Sequence, residues 1–186
     1  MVSRSAIAGL LAILAAGCSR QADAPLQAND TAAVSPDEAA PVSAALKTGT
    51  VDRSHKGEGM PAATMTDLDG KAFAPARGKP LLVNLWATWC APCVAELPAL
   101  DTAVATVSAI ALNQGEEASK VRTFLDARKL THLRPVLDPG MAVSLALSAN
   151  LPTTILYDAA GKEVWRVTGA RDWTSAESKA LIAEAA

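Results

Sequence analysis

Three cysteines and two histidines are all the thiol and imidazole ligands that this 186-residue chain offers a zinc ion. A closed zinc site takes four ligands, normally two cysteine pairs or one pair with two spaced histidines. The only pair is Cys90 and Cys93; His55 lies well ahead of it and His132 stands alone before "LRP", so no metal site is predicted. Aromatic residues are scarce at 4%, and 17 Lys and Arg against 19 Asp and Glu leave a net charge of −2. With neither a basic stripe nor interleaved aromatics, nucleic-acid binding has no electrostatic support. No internal period of about twenty to fifty residues repeats, which argues against a solenoid or propeller. The apolar run near the amino end, "AIAGLLAILAA" from Ala6 to Ala16, is too short to cross a bilayer.

That run follows a short basic start at Arg4 and reads as an export signal. Directly after it, "LAAGCS" from Leu14 to Ser19 resembles the bacterial lipoprotein signal, in which the chain is cut before a cysteine whose thiol carries diacylglycerol. The leucine sits one place further from the cysteine than in the usual pattern, with Ala15 in its position. The resemblance implies a signal peptide over residues 1–17, lipidation at Cys18, and a place in the bacterial cell envelope facing the periplasm, on either the inner or the outer membrane. Residues 18–59 are rich in Ala, Pro, Ser, Asp and Thr without a sustained period and read as a flexible tether. Residues 60–186 are one domain's worth of chain, expected to act as a monomer. With Cys18 assigned to the anchor, an even pair of cysteines remains in an exported protein.

Within the domain, Asp69-Gly70 signals a hairpin-like lead-in, and "LLVNLW" from Leu81 to Trp86 has the continuous apolar character of a strand covered on both faces. A helix is predicted from about Ala91 to Val104, with Pro98 as a kink, and "TVSAIAL" from Thr106 to Leu112 fits a second strand. An amphipathic helix over Glu116 to Leu130 follows, with acidic residues at its start and Arg128 and Lys129 at its end. "PVLDPG" is read as a chain break before a short helix over Met141 to Ala149. "TTILY" and "KEVWRVT" flank the turn "DAAG" as a hairpin, and a last helix runs from about Ser175 to Ala185. The order predicts an α/β fold of three layers with a central mixed sheet.

The pair at Cys90 and Cys93 sits where the first strand gives way to a helix. As a brace it does little: closing a loop of roughly four residues restricts the unfolded chain by only about 2 kcal/mol. As a reactive pair the position is an asset. The unpaired amides and positive dipole end of a helix start favour thiolate over thiol. Cys90, at the very start, is therefore read as the attacking sulfur, and Cys93, one turn in, as the more buried sulfur that resolves a mixed disulfide. Pro92 stiffens the turn where a missing amide hydrogen costs nothing.

"VNLWATWCAPCVAELP", followed about sixty residues later by "LPTTILYDAAGKEVWRVTG", resembles the membrane-tethered, thioredoxin-like thiol-disulfide oxidoreductases of the bacterial envelope, the TlpA, ResA and CcmG-like reductases. The similarity runs from about Ala62 to the carboxyl end. It implies a thioredoxin-like α/β/α domain in which Trp89 covers the thiols, Trp86 packs beneath them, and Glu96 tunes the protonation of the buried thiol. A helix places Glu96 one turn beyond Cys93, where a partly desolvated carboxyl could accept its proton. The resemblance also makes Pro152 a cis-proline and puts Leu151, Pro152 and Thr153 in the groove for an extended client peptide. Where thioredoxin has a buried aspartate this chain has Asn84, which leaves proton handling to Glu96.

The expected activity is reduction of disulfides in exported client proteins, as in cytochrome c maturation, by a dithiol-disulfide cycle that needs no cofactor. Electrons would come from a membrane dithiol donor of DsbD or CcdA type. The alternative is a lipid-anchored module that holds or delivers Cu(I) on the same two sulfurs, with Met141 and His132 as approaching ligands. A peroxidase of peroxiredoxin type is disfavoured, because Ala87 stands where that family has threonine.

Overall fold

The structure is a computed structural model that describes residues 49–185. The predicted signal peptide, Cys18 and the tether up to residue 48 lie outside the described residues. The elements run β1 (Thr50–Asp52), β2 (Met65–Thr66), β3 (Ala72–Phe73), β4 (Leu81–Trp86), α1 (Ala91–Ala103), β5 (Ala109–Gln114), α2 (Ala118–Asp126), β6 (Arg134–Asp138), α3 (Ala142–Ala146), β7 (Thr153–Tyr157), β8 (Glu163–Thr168) and α4 (Ala176–Ala183). All strands join one sheet in the order β1-β8-β7-β4-β5-β6-β2-β3. β4, β5 and β6 are parallel, whereas β7, β8 and β1 continue the sheet antiparallel on one side and the β2–β3 hairpin closes the other. This is the mixed-sheet α/β fold that the order of elements predicts, in the thioredoxin-like form that the resemblance implies.

Side chains alternate across a strand, and β4 divides its residues between two cores. Leu82 and Trp86 pack with α1, α2 and α4 on one face; Val83 and Leu85 pack with Val143 of α3 and with Met65 on the other. Asn84 is thereby sent toward α1. Leu97 and Leu100 of α1 are fully buried, each contributing roughly 2 kcal/mol, and the helix continues through Pro98.

Several boundaries differ from the sequence expectation, among them α3, which spans Ala142–Ala146 rather than Met141 to Ala149. Residues 49–59, read as tether, belong to the fold: β1 pairs Thr50, Val51 and Asp52 with Thr168, Val167 and Arg166. The segment lacks an apolar period because it is an edge strand of three residues, held by main-chain bonds and by the close passage of Gly49 against Gly169, where a side chain on Gly49 would collide with the Gly169 carbonyl. "PVLD" does not break the chain but forms β6, parallel to β5. Pro135 is tolerated because β2 meets β6 only at Leu137, which leaves the outer side of Pro135 unpaired. β5 begins and ends later than "TVSAIAL", since its carboxyl half carries the buried polar residues Asn113 and Gln114. α2 is shorter than expected at both ends: Glu116 turns inward as an acceptor, and Lys129 adopts the left-handed conformation at φ 51°.

Among the described residues no helix is long and apolar enough to cross a membrane.

Candidate active site

Beyond the end of β4, a turn over residues 87–89 delivers Cys90 to the start of α1, its amide bonded to the Ala87 carbonyl at 3.1 Å. Cys90 is the N-cap residue, in extended backbone at φ −86° and ψ 93°, and its sulfur accepts the amide of Cys93 at 3.3 Å. The sulfur thus occupies the place of the usual capping oxygen and meets the orphan donors of the first turn. Pro92 lies in that turn. The two cysteines are disulfide-bonded, with Cα atoms 5.3 Å apart. Cys93 is fully buried and Cys90 retains 5% of its surface, so of the two only Cys90 is open to an external reagent, the order expected from the sequence.

Trp89, beside the pair, is 68% exposed, whereas Trp86 is fully buried and packs on Phe124 with ring centroids 5.4 Å apart. The Leu151–Pro152 peptide bond is cis. Thr153 opposes Leu85 in the sheet, which sets Pro152 level with Trp86, beside the turn that leads to Cys90. Leu151 is half-buried. Thr153 departs from expectation. It sits in a strand paired on both sides, 1% exposed, and its hydroxyl donates to the Asn150 carbonyl at 2.6 Å, so its side chain is not offered to a peptide.

Glu96, one turn beyond Cys93, is 1% exposed. Its Oε1 accepts from Asn84 Nδ2 at 3.0 Å; its Oε2 accepts from the Arg171 amide at 3.0 Å and from Trp173 Nε1 at 3.2 Å. Burial pushes the carboxyl up from 4.5 to about 7, and the three donors offset only part of that rise. The group therefore exchanges its proton near neutrality. Asn84 Nδ2 also donates to Thr154 Oγ1 at 2.9 Å, from the residue directly opposite in β7. The Arg171 guanidinium is turned away, to Ser178, Glu177 and the Gly49 carbonyl.

Sequence reasoning missed a second carboxylate. Glu116 accepts from the Thr88 amide at 2.7 Å, the Thr88 hydroxyl at 2.6 Å and Asn113 Nδ2 at 2.8 Å, and pairs with Lys120 at 2.7 Å. Burial alone would raise its pKa, but Asn113, Lys120 and Thr88 together hold it down at about 2. Thr88 lies two residues before Cys90, so this anion clamps the turn that carries the thiols. Arg171 and Trp173 were missed as well: nothing in "GARDW" announces that its amide and indole reach a helix about 75 residues earlier.

The copper ligands proposed from sequence do not gather. His132 lies 3.4 Å from Asp101 near the far end of α1, and Met141 packs over Gly115 beyond β5. Among the described residues no group of three or more His, Cys, Asp or Glu side chains could hold a metal ion.

Residues 55–182 match the family described as Redoxin. The thiol-disulfide oxidoreductase ResA of Bacillus cereus is 33% identical over 122 residues, covering 61% of this chain and 69% of ResA. The thioredoxin-like protein YneN of Bacillus subtilis is 31% identical over 116 residues, covering 57% and 67%. Among solved structures, a thiol:disulfide interchange protein of the thioredoxin family from Chlorobium tepidum superposes with a TM-score of 0.55 at 21% identity, over 72% of this chain and 97% of that one. A cysteine pair joined at a helix start, on this fold and with these relatives, has one reading: the chain belongs to the Redoxin family, as a thioredoxin-fold thiol-disulfide oxidoreductase similar to ResA.

Proposed function

We propose that the protein is a reductant of disulfides in exported client proteins, tethered to the bacterial envelope through a lipid on Cys18. The observation that carries the chemistry is a buried carboxyl poised near neutrality one turn from the buried thiol. Cys90 thiolate attacks one sulfur of the client disulfide; that bond breaks, a Cys90–client bond forms and one client thiolate leaves. Cys93, its proton passed to ionised Glu96, attacks Cys90, closing the internal disulfide and releasing the second client thiolate. Two electrons move from the dithiol to the client, and a membrane dithiol donor of DsbD or CcdA type returns them. Trp89, with Leu151 and Pro152, would line the groove for the client segment around its disulfide, and Pro92 holds the turn.

The test is reduction of insulin disulfides by the purified domain, with Cys90→Ser as the control. The wild type should act catalytically and the variant should not; equal rates would overturn the reading. Cys93→Ser, expressed in cells, should accumulate mixed disulfides with exported proteins. Membrane attachment is checked separately, by fractionation of Cys18→Ala.

A further inference from the structure

We propose that Asn84 and Thr154 form a reversible hydrogen-bond switch that follows the protonation of Glu96: the Asn84 amide donates to the carboxylate and turns half a revolution about χ2 to accept from the carboxylic acid.

The donor inventory around Glu96 forces the question. Oε2 already accepts from the Arg171 amide and the Trp173 indole, and neither group can ever act as an acceptor. A proton added to Glu96 therefore goes to Oε1. The neighbour of Oε1 is Asn84 Nδ2 at 3.0 Å, which is also a donor, so the new O–H would face N–H. Of the three groups bonded to Glu96, only the amide carries an acceptor at its other end.

The surroundings of Asn84 leave it free to turn. Its Oδ1 is buried and has no hydrogen-bond partner among the described residues, so rotation breaks no bond at the far end. On the near side Nδ2 donates to Thr154 Oγ1 at 2.9 Å. A hydroxyl accepts or donates with equal ease, and after the turn it donates to Oδ1. Both orientations pair the amide with Glu96 and with Thr154; the unpaired far end is the carbonyl oxygen in the first and the NH2 group in the second, which makes the turned form the costlier one and ties it to the protonated carboxyl. A main-chain carbonyl in place of the Thr154 hydroxyl would have pinned the amide as a donor and resisted protonation of Glu96.

The charged and titratable groups around Glu96 are few. Its own helix supplies Cys90 and Cys93; the segment before α4 supplies Arg171, whose guanidinium points to Ser178, Gly49 and the exposed Glu177 of α4. β4 and β7 contribute only neutral Asn84 and Thr154. The switch thus answers to Glu96 itself. Its use in turnover rests on the reading that Glu96 takes the Cys93 proton, in which case the buried carboxyl cycles without stranding a donor against a donor. Asn84 and Thr154 act through Glu96 and are positioning residues.

The experiment uses the oxidised wild-type protein, so that neither cysteine titrates and disulfide exchange plays no part. With asparagine side chains 15N-labelled and glutamate carboxyls 13C-labelled, NMR follows Glu96 and Asn84 together from pH 4 to pH 9. The Asn84 NH2 signals should shift with the midpoint of Glu96, and their nuclear Overhauser contacts to Glu96 and Thr154 should be strong at high pH and lost at low pH. Contacts that persist unchanged while Glu96 titrates would overturn the proposal, as would a Glu96 that never titrates in this range. Asn84→Leu gives a second reading. A fixed donor serves only the carboxylate, so its removal would raise the Glu96 pKa by about one unit or more. A partner that serves both forms predicts a change of less than about half a unit. Failure of insulin reduction alongside a moving amide would reject the proposed function and leave the switch standing.

Discussion

Replacing Glu96 by glutamine removes one titration from the core and should change how stability depends on pH. In the folded chain burial lifts this carboxyl from 4.5 to about 7. Below pH 4.5 it is protonated in both folded and unfolded chains and costs nothing. Between pH 4.5 and 7 the folded state binds the extra proton, so stability falls as pH rises, and above 7 the full cost is present. The displacement corresponds to about 3 kcal/mol at order of magnitude. The substituted amide cannot ionise, its carbonyl can accept from Arg171 and Trp173, and its NH2 can donate to a turned Asn84. E96Q should therefore match the wild type near pH 4 and exceed it by about 3 kcal/mol at pH 8, or by about 10 °C in Tm for a domain of this size. Urea denaturation of the two oxidised proteins from pH 4 to pH 8 measures the difference. Curves that stay parallel within about 0.5 kcal/mol would refute the argument that burial dominates at Glu96.

Further outcomes concern the rest of the site. Glu116, held at about 2 by its donors, contributes stability that is present above pH 4.5 and lost as pH falls toward 2; E116Q should cost about 2 kcal/mol at pH 7 and flatten the acid limb of a denaturation series. Trp89→Ala removes a side chain that is 68% exposed, so stability should stay within about 0.5 kcal/mol while insulin reduction slows several-fold and reduction by dithiothreitol does not. Asp101 accepts the amides of Thr131, His132 and Leu133 at 2.7 to 3.1 Å. Asp101→Ala should destabilise by about 3 kcal/mol without altering the pH profile of Cys90 alkylation, which separates a brace at the far end of α1 from the thiol chemistry.

The parts of the molecule that follow from short-range pattern were readable in the chain. The apolar run of β4, the Asp69-Gly70 turn, the β7–β8 hairpin and the cysteines at a helix start each declare themselves within about ten residues. Asn84 could be singled out as a polar residue inside a buried strand, and Glu96 as one turn from Cys93. What was hidden depends on contacts distant in sequence. β1 is recognisable only from the strand it joins, since three residues carry no period of their own. β6 was obscured by Pro135, whose cost vanishes because its outer neighbour stops short. The donors to Glu96 from Arg171 and Trp173 follow from how the chain leaves β8 and turns into α4, a placement set by the packing of Trp173 in the core rather than by any local signal. Thr153 was misread because the cis-proline draws attention to its neighbours, whereas the sheet register decides which of them faces out.

Two glutamates whose side chains are both withdrawn from solvent end up on opposite sides of the ordinary carboxylate range, and the contrast shows what the site requires. Glu116 receives three neutral donors and a lysine ammonium, enough to overcome desolvation, so it remains an anion and can serve as a fixed clamp on the turn before Cys90. Glu96 receives three neutral donors and no cation, because the only nearby one, Arg171, contributes its amide and directs its guanidinium elsewhere. Were Arg171 to point its charge at Glu96, opposite charge at close range would drive the carboxyl well below neutrality, and it could no longer take a proton from a thiol. The hydrogen bonds that hold Arg171 away, to Ser178 and to the Gly49 carbonyl beside β1, are therefore part of the chemistry. Arg171→Lys, which lacks the planar fork that makes both bonds, should shift the Glu96 midpoint downward in the NMR titration while Arg171→Met should not. A midpoint that moves equally in both variants would sink that account of why this carboxyl sits near neutrality.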